Sequence, residues 1–387
     1  MNDLQNKNIL LIYYDLSLPG GVTRVLINLA NELITEGYKV TILVLVNKDN
    51  SYYAIDERIT IKCIDTYDYW TFTKLIVGLD KYFGNFPFKN SLRYYIYDFG
   101  QWRLLNKWLN KNHKNYDTII SSWYKLSSQL AINKNVNYKT IAWEHTNFEI
   151  GGLLWNKILR RFYNNLQKVI CINTPSKKYY EDKGLKVEKI SNIIGSPFES
   201  NNSSNLESKQ NTLIYVGRLD NDKNVDEILD ILNEIDFKNF KFKIIGDGPN
   251  RAELEQKVNS IEYLNNKIEF LGSKNSLEIF EELNKSKVFL FTSKVEGLPT
   301  VLIEAMMCGN AIISYDCNYG PSDIVNESNG FLIPMHNKQN FISELQYLID
   351  NPEKLENLCK TSFENSKNWN KTEIIKLWKK TLNPSLV

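Results

Sequence analysis

Residues 288–323 read VFLFTSKVEGLPTVLIEAMMCGNAIISYDCNYGPSD. A short apolar run leads into a turn holding Glu296-Gly297-Leu298-Pro299, then a helix carrying Glu304. A break at Gly309-Asn310 follows, then a second apolar run and a loop ending Gly320-Pro321. Continuous apolar runs bounded by turn residues mark strands buried on both faces, so the order strand, turn, helix, strand predicts an α/β fold with a parallel sheet. In open α/β sheets ligands settle outside the carboxyl ends of the strands, and here two carboxylates flank such an end. The helix opens at Leu298-Pro299 or Thr300, where free N–H groups attract anions and polar oxygens. Glu296 stands just before that opening and Glu304 about two turns into the helix, on a nearby face. An ionised carboxylate is an acceptor-only group with several lone pairs, so acids placed this way can hold sugar hydroxyls.

Working outward, a chain of 387 residues suits two domains of ordinary size. Its apolar content of 43% and charged content of 24% are those of a soluble globular protein. Five cysteines (63, 171, 308, 317 and 359) are odd in number, scattered and never spaced as metal ligands, which predicts a reduced, cytoplasmic chain. The opening residues MNDLQNKN run straight into ILLIYY, too short for a membrane span and without a cleavage pattern. Net charge is +2, but residues 1–195 carry 26 Lys and Arg against 17 Asp and Glu, a net +9, leaving −7 for the remainder. A basic half is drawn to phosphorylated ligands or anionic membrane surfaces. Nucleic acid is not expected, because the aromatics form no nucleic-acid-binding signature.

The first half repeats the α/β pattern. Asn8 to Tyr14 predicts a strand, followed by a loop with Gly20-Gly21, the helix VLINLANELITEG and a second strand, Tyr38 to Val46. Glycines in such a loop let the backbone approach a ligand, and the helix N-terminus favours phosphate. Residues 67–115 hold eight Lys or Arg against Asp68, Asp80 and Asp98 among clustered Trp, Tyr and Phe. That mixture reads either as an interfacial membrane contact or as a pair of helices with an aromatic core side. Lys157-Ile-Leu-Arg160-Arg161 is expected to add to the same basic face. Further strands are predicted at 116–122, 139–143, 168–173 and 187–194. The second of these ends in Glu144-His145-Thr146-Asn147, a polar cluster past a strand, and His145 is one of only three histidines. His113 and His336 lie in polar, loop-like surroundings and are taken as background.

The polar, Ser- and Asn-rich segment 195–210 predicts a linker between a first domain, 1–194, and a second, 211–365. Strand-turn-helix units recur at TLIYVGR, FKIIGDG and KIEFLGS, and residues 366–387 form an amphipathic helix with Trp369 and Trp378, expected to pack back on the first domain. In Val216-Gly217-Arg218-Leu219-Asp220-Asn221-Asp222-Lys223, one guanidinium and one ammonium five residues apart suit a diphosphate. Asp220-Asn221-Asp222 matches a short acid-x-acid metal pattern, but it lies between the two cations, so no metal is expected.

VGRLDNDKN, IIGDGP, FLGSKNS and above all Ser293-x-x-Glu296-Gly297-x6-Glu304-Ala305-Met306, followed by Cys308-Gly309, resemble glycosyltransferase family 4. The match covers nearly all of the second domain and, more loosely, the Gly20-Gly21 loop and the Glu144-His145 pair. NYGPSDIV resembles members that build capsular, lipopolysaccharide or teichoic-acid sugars. The resemblance implies the GT-B fold, two Rossmann-like domains facing across a cleft, the first binding acceptor and the second nucleotide sugar. It further implies a retaining, metal-independent transferase that uses a nucleotide-sugar donor, uridine diphosphate-linked on family grounds. The acceptor would be a glycan or lipid-linked saccharide, and the location cytoplasmic, peripheral at the inner membrane face. By position, Arg218 and Lys223 would neutralise the donor diphosphate, Glu296 hold donor sugar hydroxyls and Glu304 the ribose. Backbone N–H groups of Gly297, Leu298 and Thr300 would meet sugar or phosphate oxygens, with Gly217 in the cation turn and Gly272 and Ser273 cradling the base. His145 would approach the sugar and Gly20-Gly21 the phosphates. Many relatives carry Gly where this chain has Pro299, which has no N–H to give.

Two rivals keep the fold. A GT-B nucleotide-sugar epimerase needs extra acids and a His at the reacting carbon, whereas only the transferase pattern is present. A non-catalytic nucleotide-sugar-binding partner subunit should have lost motif residues that are all here. A dinucleotide-binding dehydrogenase wants G-x-G-x-x-G, and Ile245-Gly-Asp-Gly-Pro lacks the third glycine.

Overall fold

The computed structural model describes residues 7–17, 20–46, 51–64, 78, 89–146, 148–149, 154, 158–201 and 208–383, with backbone alone at 89–94. The parts of the basic, aromatic stretch at 67–77 and 79–88, together with Asn147 and Lys157, lie outside the described residues. Two compact units are present, the first drawn from residues 1–172, 176–190 and 377–387, the second from 173–175 and 191–376.

The first unit is a seven-stranded sheet in the order β3-β2-β1-β4-β5-β6-β7. Its strands are β1 (Asn8–Tyr13), β2 (Lys39–Val44), β3 (Thr60–Cys63), β4 (Thr118–Ser121), β5 (Thr140–Glu144), β6 (Lys168–Cys171) and β7 (Val187–Lys189). Every pairing is parallel. Parallel strands are covered on both faces, and Ile9, Leu10, Leu11 and Ile12 of β1 are accordingly fully buried. The helix Gly21–Thr35 turns one stripe inward, Val25, Leu26, Leu29, Ala30 and Leu33. From Leu377 the helix Lys371–Leu382 belongs to this unit. Trp378 is fully buried and meets Trp143 edge-on at 5.0 Å. Lys379 pairs with Glu36, Asn383 donates to the Tyr38 hydroxyl, and Lys7 Nζ donates to the Leu382 carbonyl. The chain end therefore packs on the first unit as expected, through Trp378 and not Trp369, which lies in a turn before the helix.

The second unit is a six-stranded parallel sheet in the order β10-β9-β8-β11-β12-β13. It comprises β8 (Thr212–Val216), β9 (Lys241–Ile245), β10 (Ile268–Gly272), β11 (Val288–Phe291), β12 (Ala311–Asp316) and β13 (Gly330–Pro334). In both sheets the chain builds outward on one side of the first strand, then crosses it to continue on the other. The reversal falls between β1 and β4 in one unit and between β8 and β11 in the other. Each reversal is a topological switch point, where the loops on the carboxyl side diverge and leave a crevice.

Three details differ from the sequence reading. The edge strand β3, TIKC, carries too little apolar signal to be predicted, and its positions are exposed or half-buried. The strand expected over 187–194 pairs only to Lys189, and Ile190, Ile193 and Ile194 are buried outside the ladder. Within the polar segment 195–210, Phe198 is buried edge-on against Phe280. Lys209 is also buried, with Nζ donating to the carbonyl of Ser286 at 2.6 Å and burial lowering its pKa to about 8.

Candidate active site

The switch point of the second sheet gathers the residues singled out around 217–223 and 296–304. The loop after β8 carries Gly217, Arg218 and Lys223, and the loop after β11 carries Glu296. They are 73 residues apart in sequence, yet Lys223 Nζ lies 2.5 Å from Glu296 Oε1. The two side chains are 27% and 13% exposed, so the pair is partly shielded from water. Arg218 is different: its side chain is 70% exposed, with Nε 3.3 Å from Asp220 Oδ2.

Both loops are braced. The Thr292 hydroxyl, fully buried, donates toward the carbonyls of Lys223 and Asn224 at 3.2 and 3.0 Å. Lys294 N donates to Asp222 O at 2.8 Å. Below the first loop, the Tyr215 hydroxyl donates to Arg218 O at 3.1 Å. A Cβ at Gly217 would sit 2.6 Å from that hydroxyl, so only glycine lets the turn close over it. Burial, with the Glu296 and Asp220 charges added, raises the Tyr215 pKa well above the ordinary phenol value and keeps it a neutral donor. Glu296 is anchored by its backbone, N to Asn318 O at 3.1 Å and O from Tyr319 N at 3.2 Å. Gly320, at φ +104°, packs against the turn 297–299: its Cβ would meet Gly297 O and Pro299 Cδ at 2.8 Å.

The helix Thr300–Met307 starts directly behind Glu296, with Pro299 in the capping position and no side chain capping it. Pro299 thus lies outside the helix, and Leu302 N donates to its carbonyl. Glu304, on the second turn, is buried to 4% exposure. Asp220, the first acid of the acid-x-acid pattern, is engaged by Arg218 and by Lys223 N at 3.2 Å. Among the described residues no three His, Cys, Asp or Glu side chains group as a metal site. Gly272 ends β10, two strands from β8, with φ +69° and its carbonyl accepting from Gly246 N; Ser273 beside it is exposed.

His145, Gly20 and Gly21 belong to the first unit. Gly20 is extended before the helix Gly21–Thr35, and a Cβ on Gly21 would meet nothing within 4 Å, so the fold itself does not demand glycine there. His145 follows β5, 8% exposed, its ring 4.2 Å from that of Trp143. Burial pushes its pKa down to about 3, leaving a neutral imidazole. It lines a cavity of about 240 Å³ at the carboxyl ends of β1, β4 and β5 with Tyr14, Ser122, Trp123, Tyr124 and Thr146.

The polar cluster expected past β5 divides. Glu144 is the last strand residue and points into the core, taking Arg160 Nη2 at 3.2 Å and the Tyr163 and Tyr180 hydroxyls at 2.6 and 3.3 Å. Arg160 is 5% exposed and also donates to the Phe148 carbonyl. This corrects the assignment of Arg160 to a basic outer face: a buried carboxylate requires a partner, and Arg160 supplies it. Arg161 alone of that pair is exposed.

Comparison with known proteins follows the same division. Residues 19–194 match the model of Glycosyltransferase Family 4 and residues 198–365 that of Glycosyl transferases group 1. The chain belongs to glycosyltransferase family 4. It is similar to the amylovoran biosynthesis glycosyltransferase AmsD of Erwinia amylovora, 29% identical over 97% of this chain and 99% of that protein. The Campylobacter jejuni α-1,4-N-acetyl-D-galactosaminyltransferase, named for a diNAcBac-PP-undecaprenol-linked GalNAc substrate, is 26% identical over 94% of this chain and 95% of its own. Among solved structures, S. aureus TarM superposes with a TM-score of 0.72 at 15% identity, covering 97% of this chain and all of TarM. Anabaena HepE in complex with UDP superposes at 0.70 and 17% identity, covering 98% of this chain and all of HepE. This family member therefore has the GT-B fold.

Proposed function

We propose that this glycosyltransferase takes a hexose or N-acetylhexosamine from a uridine diphosphate-linked donor and passes it, with retention and without a metal, to a glycan or lipid-linked saccharide of a cell-surface polysaccharide. The observation that carries this is the Lys223–Glu296 pair at the switch point of the second sheet. A cation and an acceptor-only carboxylate fixed side by side suit the two halves of a nucleotide sugar, the anionic diphosphate and the hydroxylated ring. The names of AmsD and of the UDP-bound HepE agree with this donor and this setting.

As the bond from the anomeric carbon to the diphosphate oxygen breaks, negative charge grows on the phosphate, and Lys223 with Arg218 stabilises it. The sugar takes on oxocarbenium character. The acceptor hydroxyl attacks the face the diphosphate leaves, and a phosphate oxygen takes its proton. Glu296 holds donor hydroxyls, Glu304 the ribose, backbone N–H groups of Gly297, Leu298 and Thr300 the sugar or phosphate oxygens, and Gly272 and Ser273 border the base. With Asp220 committed to Arg218 and to the Lys223 N–H, the charge compensation falls to the cations. His145, held neutral, serves as a hydrogen-bonding group to the sugar and not as a cation, with Gly20 and Gly21 toward the phosphates.

The same reading sets the protein at an anionic membrane surface. On the helix Lys89–Asn112 the exposed positions Tyr95, Phe99, Arg103, Lys107 and Lys111 follow at four-residue spacing, two aromatics and then three cations along a ridge that winds around the helix. Turnover screened over UDP- and GDP-sugars, with and without a chelator, tests the donor assignment. A preference for GDP-sugars, or turnover lost to the chelator, defeats it.

A further inference from the structure

We infer that Glu227 is a positioning residue for transfer: holding Asn224 with one oxygen and Tyr315 with the other, it fixes Lys223 and Glu296 relative to one another. This rests on the donor reading above and adds a residue that touches no substrate. Asn224 follows Lys223 directly and stands at φ +53°, ψ +39°, ahead of the helix Val225–Leu232. L-residues enter that left-handed region only at a cost, which asparagine lowers by bonding locally through its side chain. The Asn224 side chain makes no capping bond to the helix; its amide donates to Glu227 Oε2. The backbone turn that aims Lys223 is thereby held by a carboxylate three residues on.

The other oxygen of Glu227 faces β12. Tyr315, fully buried on that strand and edge-on to Phe341 at 5.2 Å, donates its hydroxyl to Glu227 Oε1 at 2.6 Å. Burial, and then the Glu227 carboxylate, raises the Tyr315 pKa, so the phenol stays a neutral donor. Three residues beyond Tyr315, Asn318 O accepts from Glu296 N, and Tyr319 N donates to Glu296 O. The chain leaving β12 therefore places Glu296, as the turn at Asn224 places Lys223. Half-buried Glu227 joins the two, each of its oxygens taking one donor. Leaving the buried phenol without its acceptor is unfavourable, which keeps the tie closed.

The test compares Glu227→Ala, Glu227→Gln, Tyr315→Phe and Asn224→Gly/Glu227→Ala in the whole protein, each below its own Tm. Calorimetry with UDP reads affinity, and UDP release from the UDP-sugar that turns over best reads KM and kcat. Acetylation of Lys223 by acetic anhydride, followed by mass spectrometry, reads the place of the lysine without any donor. Glu227→Ala should weaken UDP at least fivefold and speed Lys223 acetylation several-fold, as the ammonium leaves Glu296. Glu227→Gln, whose amide meets a flipped Asn224 amide, should keep UDP affinity within twofold. Glycine enters the left-handed region freely, so Asn224→Gly/Glu227→Ala should restore UDP affinity while kcat stays low, a recovery that a merely structural carboxylate would not show. Tyr315→Phe should lower kcat with UDP affinity within twofold. Should Glu227→Ala not fold, Asn224→Ala, which loses the same bond, carries the acetylation measurement. Equal loss in Glu227→Gln and Glu227→Ala means that charge and not the hold is at work, and overturns the inference. Lys223 acetylation indifferent to Glu227→Ala or Asn224→Ala overturns it as well. UDP affinity indifferent to Lys223→Ala strikes the donor assignment instead, and the acetylation rates then decide the inference.

Discussion

Neutralising Lys223 should separate donor binding from sugar transfer in a way that depends on its contact with Glu296. Two unit charges about 4 Å apart interact by about 1 kcal/mol in water and about 4 kcal/mol at an effective dielectric near 20. Lys223 is 27% exposed, which places its interaction with a phosphate between these limits, about 2–3 kcal/mol. Lys223→Ala should therefore lower kcat/KM by about 30- to 150-fold, at 1.4 kcal/mol per tenfold. The variant also leaves the Glu296 carboxylate beside the diphosphate without its partner at 2.5 Å, adding repulsion to the lost attraction. Glu296→Gln acts in the opposite sense on the nucleotide. It releases Lys223 from a partly exposed pair worth about 0.2–1 kcal/mol, so UDP should bind about 1.5- to 5-fold tighter. Transfer should nevertheless fall, because the carboxylate that orients the donor sugar is gone.

The tightening of UDP brought by Glu296→Gln should be larger in the Lys223→Ala background than in the parent, since there it removes an unpaired carboxylate, and this difference between backgrounds is the non-additivity that marks contact. Calorimetry with UDP supplies the affinities, and a continuous UDP-release assay with donor and acceptor supplies kcat/KM. The reasoning fails if Lys223→Ala and Glu296→Gln shift UDP affinity in the same direction, or if Lys223→Ala stays within threefold of the parent in transfer.

Other consequences are independent of that pair. Because burial lowers the His145 pKa to about 3, the unfolded chain, near 6.5, takes up the proton first as pH falls. Stability from this group is thus complete above pH 6.5 and lost toward pH 3, so Tm should fall less steeply with acid in His145→Phe, and its ring signals in the parent should not titrate between pH 8 and 5. Gly320→Ala forces a side chain into φ +104° and to 2.8 Å from Gly297 O and Pro299 Cδ. It should cost about 1–3 kcal/mol in denaturant unfolding and raise the donor KM. Tyr95→Ser with Phe99→Ser, both at exposed positions, should leave Tm unchanged and reduce co-sedimentation with vesicles containing anionic lipid; equal binding to neutral vesicles would remove the charge argument.

The second sheet was legible because β8, β11 and β12 are near-continuous apolar runs and β8, β9 and β10 lead into or end on glycine. Lys223 and Glu296 could be marked separately from their loops, and the strand order β10-β9-β8-β11 is what brings them within 2.5 Å. The braces were not legible. Whether the hydroxyls of Tyr215 and Thr292 reach the Arg218 and Lys223 carbonyls depends on the pleat and on the register of neighbouring strands, neither of which is local in sequence. Arg160 and Glu144 escaped for a similar reason. In LRRF nothing marks which guanidinium turns inward, since arginine is almost never fully buried unless paired, and its partner lies 16 residues back at the end of another element. The Glu144-His145 pair reads as one polar cluster only until strand alternation is applied, which sends the carboxylate into the core and leaves the imidazole on the cavity wall.

The net charge of each half does not describe the site within it, and that difference can be measured. Residues 1–195 carry the net +9, yet the described residues that line the cavity in the first sheet are neutral. The remainder carries −7, yet Arg218 and Lys223 stand at its switch point. Local placement, not the sum over a half, sets what each site can hold. Salt tests this: at 0.01 M the Debye length is about 30 Å and at 1 M about 3 Å, so partly exposed charges such as Arg218 and Lys223 lose much of their pull on a diphosphate. UDP affinity should weaken several-fold between those limits. UDP affinity indifferent to salt over that range would mean that Arg218 and Lys223 do not hold the diphosphate.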